Sequence, residues 1–174
     1  MRYIYLFFYY SMFRFFPSNS FFIPFIGKTS ALLRRWCCKH IFLHCGKHVG
    51  IERLASFGSG KNLVIGDRSN LGINCKVPSD IIIGDDVMMG PNFCCHTTNH
   101  KIDRIDIPMN RQGITERAQL RIGSDVWIGQ DVLMLPGGEI SNGCVIAARS
   151  VVTRCIPEYS MGGGIPCKVI KKRK

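Results

Sequence analysis

Aliphatic residues recur along this chain at an interval of six, in two runs separated by a gap. The positions are Ile65, Leu71, Val77, Ile83, Met89 and Cys95, then Ile122, Ile128, Met134, Ile140, Ile146 and Val152. A glycine or another small residue follows many of them. An α-helix repeats its apolar residues at about 3.6 and a half-buried strand at about 2, so a sustained six fits neither alone. The pattern predicts a mainly β solenoid, in which each hexad supplies one short strand and one tight corner.

Units of this size must stack before any of them is stable. Stacking would satisfy the backbone hydrogen bonds of neighbouring strands and bury a continuous column of Ile, Val and Leu side chains. An ordinary β-sandwich with incidental spacing is the alternative. It is disfavoured because the interval is kept through both runs.

The gap between the runs predicts an extruded loop. Cys95 and Ile122 are 27 residues apart, which is not a multiple of six. The segment from about 97 to 119 is polar, carries charges of both signs and has no repeat of its own. Long loops in compact proteins are usually functional or disordered, so we expect this one to project from the coil.

Three regions follow from these patterns: an N-terminal segment over 1–46, the coil over 47–156, and a basic tail over 157–174 that we expect to be irregular. Residues 28–44 carry apolar side chains at roughly helical spacing, which predicts an α-helix packed on the coil. The apolar residues concerned are Leu32, Leu33, Trp36, Ile41 and Phe42.

The chain opens on an aromatic, apolar stretch over 1–16. Arg2 and Arg14 interrupt it and Pro17 ends it, so it falls short of the roughly 20 residues that cross a bilayer. A signal peptide is disfavoured because no small-residue cleavage site follows. We interpret the stretch as a retained amphipathic or docking segment, which leaves peripheral contact with a membrane open.

Composition narrows the class of protein. The 174 residues suit one domain with a sizeable core. Nine cysteines, an odd number without any CxxC, favour buried free thiols in a reducing cytoplasm over disulfides or zinc. The net charge of +11 fits an anionic cofactor, an anionic membrane or a solvated surface. Nucleic acid is disfavoured, because no nucleic-acid-binding module accompanies the charge.

Three stretches carry a specific resemblance. Residues 122–171, reading IGSDVWIGQDVLMLPGGEISNGCVIAARSVVTRCIPEYSMGGGIPCKVIK, together with NLVIGDRSNLGINCKV and MGPNFCCHTTNHKID, resemble the hexapeptide-repeat acetyltransferases. The loop is most similar to that of sugar and polysaccharide O-acetyltransferases. The resemblance implies a left-handed parallel β-helix, a homotrimer with active sites between subunits, and acetyl-CoA as co-substrate. The handedness rests on the resemblance alone, since parallel crossovers are normally right-handed.

By the same resemblance His100 is the catalytic general base. An imidazole is largely neutral near pH 7 yet basic enough to take a proton from a sugar hydroxyl, whose oxygen would attack the thioester directly. A backbone N–H would stabilise the oxyanion. His96 is the alternative base. A zinc site built on Cys94, Cys95 and the two histidines is disfavoured, because neighbouring strand residues point to opposite faces.

The resemblance also assigns the binding residues. Asn74, Asn99 and Trp127 fall at acceptor positions. The coenzyme positions are Gln130, Ala148, Thr153, Arg154, Lys168 and Lys171. The two lysines suit the phosphates of coenzyme A, although a solubilising basic tail would have the same composition. Arg149 departs from the family pattern, because it stands where a glycine is usual.

The function expected from the sequence is acetyl transfer from acetyl-CoA to a hydroxyl of a saccharide or polysaccharide precursor. We expect the reaction to take place in the cytoplasm, with peripheral contact to a membrane left open. No metal is expected. Two alternatives stay open. One is acetylation of serine or of a small xenobiotic alcohol, with similar catalysis in a different pocket. The other is a β-helix that is non-catalytic or uses a metal as carbonic anhydrases do.

Overall fold

The chain forms two α-helices followed by short strands in the computed structural model, which describes residues 1–173. The helices are α1 (Arg2–Ser11) and α2 (Pro24–Ile41), and single turns of 3-10 helix lie at Phe13–Phe15 and Met109–Arg111. The strands are β1 (His44–Cys45), β2 (Gly50–Ile51), β3 (Val64–Ile65), β4 (Asn70–Leu71), β5 (Ile82–Ile83), β6 (Met88–Met89), β7 (Cys94–Cys95), β8 (Arg121–Ile122), β9 (Trp127–Ile128), β10 (Leu133–Met134), β11 (Glu139–Ile140), β12 (Val145–Ile146), β13 (Val151–Val152), β14 (Cys155–Ile156), β15 (Ser160–Gly163) and β16 (Lys168–Lys172).

The strands stack into three faces of a prism. Sheet 1 has the order β1-β3-β5-β8-β11-β14, sheet 2 the order β7-β10-β13, and sheet 3 the order β6-β9-β12-β15-β16. The pair β2-β4 precedes sheet 3, and β4 contacts β6. From β5 to β15 the chain visits sheet 1, sheet 3 and sheet 2 in that order on each turn, and all these strands pair in parallel. The predicted solenoid is confirmed.

The interval of six has a simple structural origin. Each two-residue strand turns its second residue into the prism, as in Ile65, Ile128 and Ile146, each at most 1% exposed. Three hexads complete a regular turn of 18 residues, so that Leu133 pairs with Val151 and Trp127 with Val145. An inward residue is therefore followed six residues later by an inward residue on the next face. The inward residue 18 positions later lies on the same face, one turn further along the coil.

Side chains at one corner of the prism tie each turn to the one before. The backbone N–H of Lys47 donates to Asp67 Oδ1 at 2.7 Å, and that of Asp67 donates to Asp85 Oδ1 at 2.7 Å. The N–H of Asp85 then donates to Ser124 Oγ at 3.0 Å, and that of Ser124 to Asn142 Oδ1 at 2.8 Å. Short polar side chains thus satisfy backbone donors that the two-residue strands leave over at this corner.

The two helices pack on the first turns of the coil. The Tyr9 hydroxyl, fully buried, donates to the carbonyl of Ala55 at 2.9 Å. Arg34 is also fully buried, and its guanidinium donates to the carbonyls of Ile51 (2.6 Å), Phe16 (3.1 Å) and Pro17 (3.0 Å). Burial lowers the pKa of Arg34, yet an arginine stays charged, so these carbonyls hold a cation between helices and coil.

The helix predicted over 28–44 lies at Pro24–Ile41. Pro24 suits the first turn of a helix because its missing N–H needs no partner there. The helix ends earlier than predicted because Phe42 is extended and His44 pairs with Val64 in sheet 1. The aromatic opening, interpreted as a docking segment, forms α1.

The prediction of an irregular tail is wrong. Strand β15 adds to β12, with Val145 opposite Met161, and β16 folds back antiparallel on β15. Small residues make this possible, since Gly162 lies opposite Val169 across the hairpin. All five residues of β16 are exposed, and their sequence does not alternate between apolar and polar residues. The sequence therefore gave no indication of a strand there. Lys174, the last basic residue, lies outside the described residues.

None of the helices within residues 1–173 is long and apolar enough to span a bilayer. The nine cysteines are free thiols. Burial raises the pKa of Cys75 to about 12 and that of Cys45 to about 11. These two thiols therefore stay protonated and unreactive near neutral pH.

We expect Ile146→Ala to lower the free energy of unfolding by about 2 to 5 kcal/mol, because Ile146 is 1% exposed and the prism cannot close over the lost volume. Urea denaturation at fixed protein concentration measures this. Ile105→Ala is the matched control, since that side chain is fully exposed and should change stability by less than about 0.5 kcal/mol. Equal effects of the two substitutions would contradict the inward assignment.

Candidate active site

The extruded segment leaves the prism between β7 and β8, at the edge where sheet 2 meets sheet 1. The length of the insertion follows from hydrogen-bonded side chains on successive turns. Asn74 and Asn92 bond across a regular turn and are 18 residues apart, whereas Asn92 and Asp131 bond across the turn that contains the loop and are 39 residues apart. The loop therefore adds 21 residues to its turn. The turn is otherwise undisturbed, because Cys94 still pairs with Leu133 across the insertion.

The base of this loop is an ordered antiparallel stalk. The N–H of Ala118 donates to the carbonyl of Thr97 at 2.8 Å, and the N–H of Thr115 donates to the carbonyl of Asn99 at 2.8 Å. The Asn99 N–H in turn donates to Thr115 Oγ1 at 2.9 Å. His100 sits at the next step, in an antiparallel bridge with Ile114. The predicted base therefore stands exposed on a paired backbone rather than on a free loop.

An ion pair clamps the stalk to the coil. Arg117 donates from Nε to Asp80 Oδ2 at 3.0 Å and from Nη2 to Asp80 Oδ1 at 2.6 Å. Its Nη1 donates to Thr97 Oγ1 at 3.0 Å, and Thr97 is buried. The hydrogen bonds from Arg117 hold the pKa of the Asp80 carboxyl below its ordinary value. Sequence reasoning missed this clamp, because its partners lie 37 residues apart and no local pattern relates them.

The tip of the loop is braced by one amide. Gln112 donates from Nε2 to the carbonyls of Arg104 (2.7 Å) and Ile107 (3.0 Å), and its Oε1 accepts the Arg104 N–H at 3.1 Å. Arg104 is also paired with Asp106. The tip of the loop therefore has a fixed shape of its own.

His96, the alternative base, lies near Cys94, with 3.8 Å between Nε2 and the thiol sulfur. Its ring is exposed beside sheet 2. Over the part of the chain that the structure describes, no three His, Cys, Asp or Glu side chains are grouped to hold a metal ion.

Sheet 2 separates two sets of predicted binding residues. Gln130 and Ala148 lie at its edge with sheet 3, on the links β9–β10 and β12–β13. Thr153 and Arg154 lie on the link from β13 to β14, at the same edge of sheet 2 from which the His100 stalk projects. The outward side chains between the two edges are those of Cys94, Leu133 and Val151. The structure thus brings His100 and four of the predicted coenzyme positions around one face.

Trp127 lies on sheet 3, where it is 55% exposed and pairs in register with Met88. Lys168 and Lys171 extend the same sheet as exposed residues of β16. One chain therefore does not bring Trp127 and His100 onto the same face.

Asn74 occupies a corner of the prism. Its backbone has a positive φ of 55°, and its Nδ2 donates to Asn92 Oδ1 at 2.9 Å. Asn92 donates in turn to Asp131 Oδ1 at 2.7 Å. Asn and Asp tolerate the left-handed conformation that such corners need. This ladder gives Asn74 a structural duty, and its predicted contact with an acceptor stays a prediction.

A groove that sequence reasoning missed lies between the N-terminal segment and the sheet 3 side of the coil. It has a volume of about 280 Å³ and a mixed lining of polar and apolar residues: Asn19, Ser20, Glu52, Asn70, Ile73, Met89 and Pro91. Asn70 is fixed there, because its amide donates to the Met89 carbonyl at 3.0 Å and accepts the Met89 N–H at 2.8 Å. The interval of six marks only inward residues, so it gives no signal for such a groove.

Known proteins are similar to this chain in both fold and sequence. The chain is 32% identical to the galactoside O-acetyltransferase of Escherichia coli K12 over 136 residues, which cover 77% of this chain and 66% of that protein. It superposes on a maltose O-acetyltransferase from Clostridium difficile 630 with a TM-score of 0.76 and 30% identity, covering 95% of this chain and 83% of that one. A galactoside acetyltransferase in complex with coenzyme A superposes with a TM-score of 0.78 and 27% identity, covering 99% and 80%.

The chain therefore belongs to the hexapeptide-repeat acetyltransferases, as its sequence resemblance indicated. The match also confirms the predicted fold class, a left-handed parallel β-helix with an N-terminal helical segment and an extruded loop. No family model matches the chain. The chain spans between 42% and 66% of the length of the first curated relatives it matches.

We expect Asp80→Asn to loosen the stalk, because the substitution removes the carboxylate that holds Arg117. Hydrogen exchange should show faster exchange of the Asn99 and Thr115 amides at neutral pH. Since the folded-state pKa of Asp80 is depressed, its contribution is present above the ordinary value of 3.8 and is lost as the pH falls through the lowered value. Stalk protection in the wild type should therefore decline below about pH 4, and the variant should lack this decline.

Asp103→Asn is the matched control, because it removes an exposed carboxylate from the same loop. Unchanged exchange in Asp80→Asn, or equal loosening in both variants, would show that the clamp does not order the stalk.

Proposed function

We propose that this protein is an acetyl-CoA-dependent O-acetyltransferase that acetylates a hydroxyl of a saccharide or polysaccharide precursor, with His100 as general base. One observation carries the proposal. The stalk bearing His100 rises from one edge of sheet 2, and predicted coenzyme positions line both edges of that same face, in a fold shared with sugar O-acetyltransferases.

The proposed reaction is a direct transfer. A ring nitrogen of His100 accepts the proton of the acceptor hydroxyl while its oxygen bonds to the thioester carbonyl carbon. A backbone N–H stabilises the oxyanion that forms. When the carbon–sulfur bond breaks, the imidazolium returns the proton to the departing thiolate, so the histidine ends neutral. The exposed, backbone-paired position of His100 supports this role, because a general base must reach its substrate from a fixed place.

The proposed coenzyme site runs along sheet 2. Gln130, Ala148, Thr153 and Arg154 border the face, and its outward side chains at Leu133 and Val151 are aliphatic. Packing at the Ala148 edge is close: a Cβ on Gly129 would lie 2.5 Å from the Ala148 nitrogen. Glycine at 129 therefore lets successive turns stack closely, and the exposed side of this edge is Ala148, whose side chain is small. Lys168 and Lys171, exposed on β16, are proposed to hold the nucleotide phosphates.

We propose a homotrimer in which the site lies between neighbouring subunits. The supporting observation is the separation of Trp127 on sheet 3 from His100 at the edge of sheets 1 and 2. Trp127 and its neighbour Met88 are both more than half exposed, as expected of side chains that meet a second copy. In this arrangement Trp127 of one subunit reaches the His100 stalk of the next.

The acceptor is proposed to lie between two subunits, where it contacts Asn99 on the stalk of one subunit and both Asn74 and the groove near Asn19 and Asn70 on its neighbour, because these groups lie on different edges of a single coil. The amide and carboxylate groups of this groove can hydrogen-bond to the hydroxyls of a saccharide, and its apolar side chains can pack against a sugar ring. The nine free cysteines support a reducing compartment, and we place the reaction in the cytoplasm.

The proposal is tested by measuring release of free thiol from acetyl-CoA with a panel of saccharides, serine and simple alcohols. We expect turnover with a saccharide, and we expect His100→Ala to lower kcat/KM by at least about a hundredfold. His96→Ala is the matched control, an exposed histidine four residues away that should keep most activity. Near-normal turnover by His100→Ala would show that His100 is not the general base. Absence of thiol release with every acceptor would contradict the proposed function itself.

We expect Lys168→Ala combined with Lys171→Ala to raise KM for acetyl-CoA by about fivefold with little change in kcat, because these cations would hold phosphate rather than the reacting carbon. Steady-state kinetics measure both constants. Lys47→Ala combined with Lys61→Ala removes the same charge elsewhere on the exposed surface and should leave KM unchanged. An unchanged KM in the first variant would contradict the phosphate assignment.

A further inference from the structure

Helix α1 is apolar on both of its faces. Its inner face buries Tyr9 against the coil, and Phe13 follows in the next turn. Its outer face exposes Tyr3 (76%), Ile4 and Phe7 (67%) to solvent. A helix that is apolar all round needs a second apolar environment beyond the one it packs on.

Helix α2 continues this exposed surface with a crest of three apolar side chains. Phe25, Leu32 and Trp36 are exposed by 78%, 55% and 48%, and their spacing of seven and four residues puts them on one stripe. Tyr5 of α1 lies edge-on to Trp36, with 5.0 Å between ring centroids. The crest and the outer side of α1 thus adjoin, and we call them together the aromatic face.

Cations run alongside the crest. Lys28, Arg35 and Lys39 repeat the spacing of seven and four, three residues further on, so they form a parallel stripe on the same helix. A groove of about 410 Å³ between α2 and the coil is lined by Lys28, Arg35 and His48. The first acidic residue of the chain is Glu52, so no carboxylate of residues 1–51 offsets this charge.

The aromatic face is held firmly in place. Tyr9 bonds to Ala55 and the buried Arg34 bonds to Ile51, so both helices are anchored on the first turns of the coil. The face is therefore a fixed surface of the folded protein rather than the side of a loose tail.

We propose that the aromatic face docks on an anionic lipid bilayer, with α1 and the crest of α2 lying in the headgroup region. Neither helix spans the bilayer, and a surface of aromatic side chains beside lysine and arginine suits the interface. The cation stripe meets the lipid phosphates. A second copy of the chain is the less suitable occupant. A two-fold contact of aromatic faces would bring like cations together, and the trimer proposed above joins sheet 3 to the His100 stalk rather than to this face.

Vesicle flotation of the full chain tests this proposal, with vesicles of phosphatidylcholine alone and of phosphatidylcholine and phosphatidylglycerol in equal parts. We expect binding to the anionic vesicles that weakens with salt, and little binding to the neutral ones. Lys28→Gln with Arg35→Gln and Lys39→Gln should weaken binding by about tenfold or more. Phe25→Gln with Leu32→Gln and Trp36→Gln should do the same.

Matched controls remove the same number of exposed cations or apolar side chains elsewhere: Lys61→Gln with Lys101→Gln and Arg111→Gln, and Ile105→Gln with Met109→Gln and Ile165→Gln. These should bind as the wild type does. Thermal unfolding checks that each variant folds. Turnover with a soluble acceptor should be unchanged by the crest variants, so failure of docking and failure of the acetyltransferase proposal are distinguishable.

Three outcomes overturn the proposal. The first is absence of wild-type binding to anionic vesicles at low salt, and the second is equal binding by crest, stripe and control variants. The third is a change of oligomeric state in the crest variant, seen by light scattering, which would show that another copy of the chain covers the aromatic face.

Discussion

The whole structure depends on hydrogen bonding between successive turns. Fourteen of the strands between residues 1 and 173 are two residues long, and no such strand is stable without a neighbouring turn to pair with. The register of this pairing determines which residues share a face or a corner, because the place of a residue within its turn decides where it lies. His100, Thr153 and Arg154 share an edge for this reason, although more than 50 residues separate the histidine from the other two.

The 21-residue insertion shows how this scaffold accommodates a site without losing register. Strands on both sides of it remain paired, as Ile82 with Arg121 in sheet 1. The entropic cost of closing a loop grows only slowly with its length, and the stalk and the Asp80–Arg117 clamp offset part of that cost. The loop can therefore carry function on a coil whose ladder does not depend on it.

The sequence predicted those features that repeat or that lie close along the chain. Its interval of six identified inward residues such as Ile65 and Ile146, and the break in phase located the loop that carries His100. Contacts between distant, non-repeating partners left no local trace. Arg117 finds Asp80 only because the stalk returns to the coil there, and the β15–β16 hairpin forms although β16 lacks alternation. The position of Trp127 away from His100 is likewise a property of the folded turn.

A crystal structure of the assembled protein with coenzyme A bound measures the proposed site most directly. We expect three subunits, with the thiol of coenzyme A over the outward face of sheet 2 and beside the His100 ring. The two groups should be close enough for one acceptor hydroxyl oxygen to lie about 3 Å from the imidazole and about 3.5 Å from the thioester carbon. Coenzyme A bound away from sheet 2, or an imidazole turned from its sulfur, would contradict the proposed site.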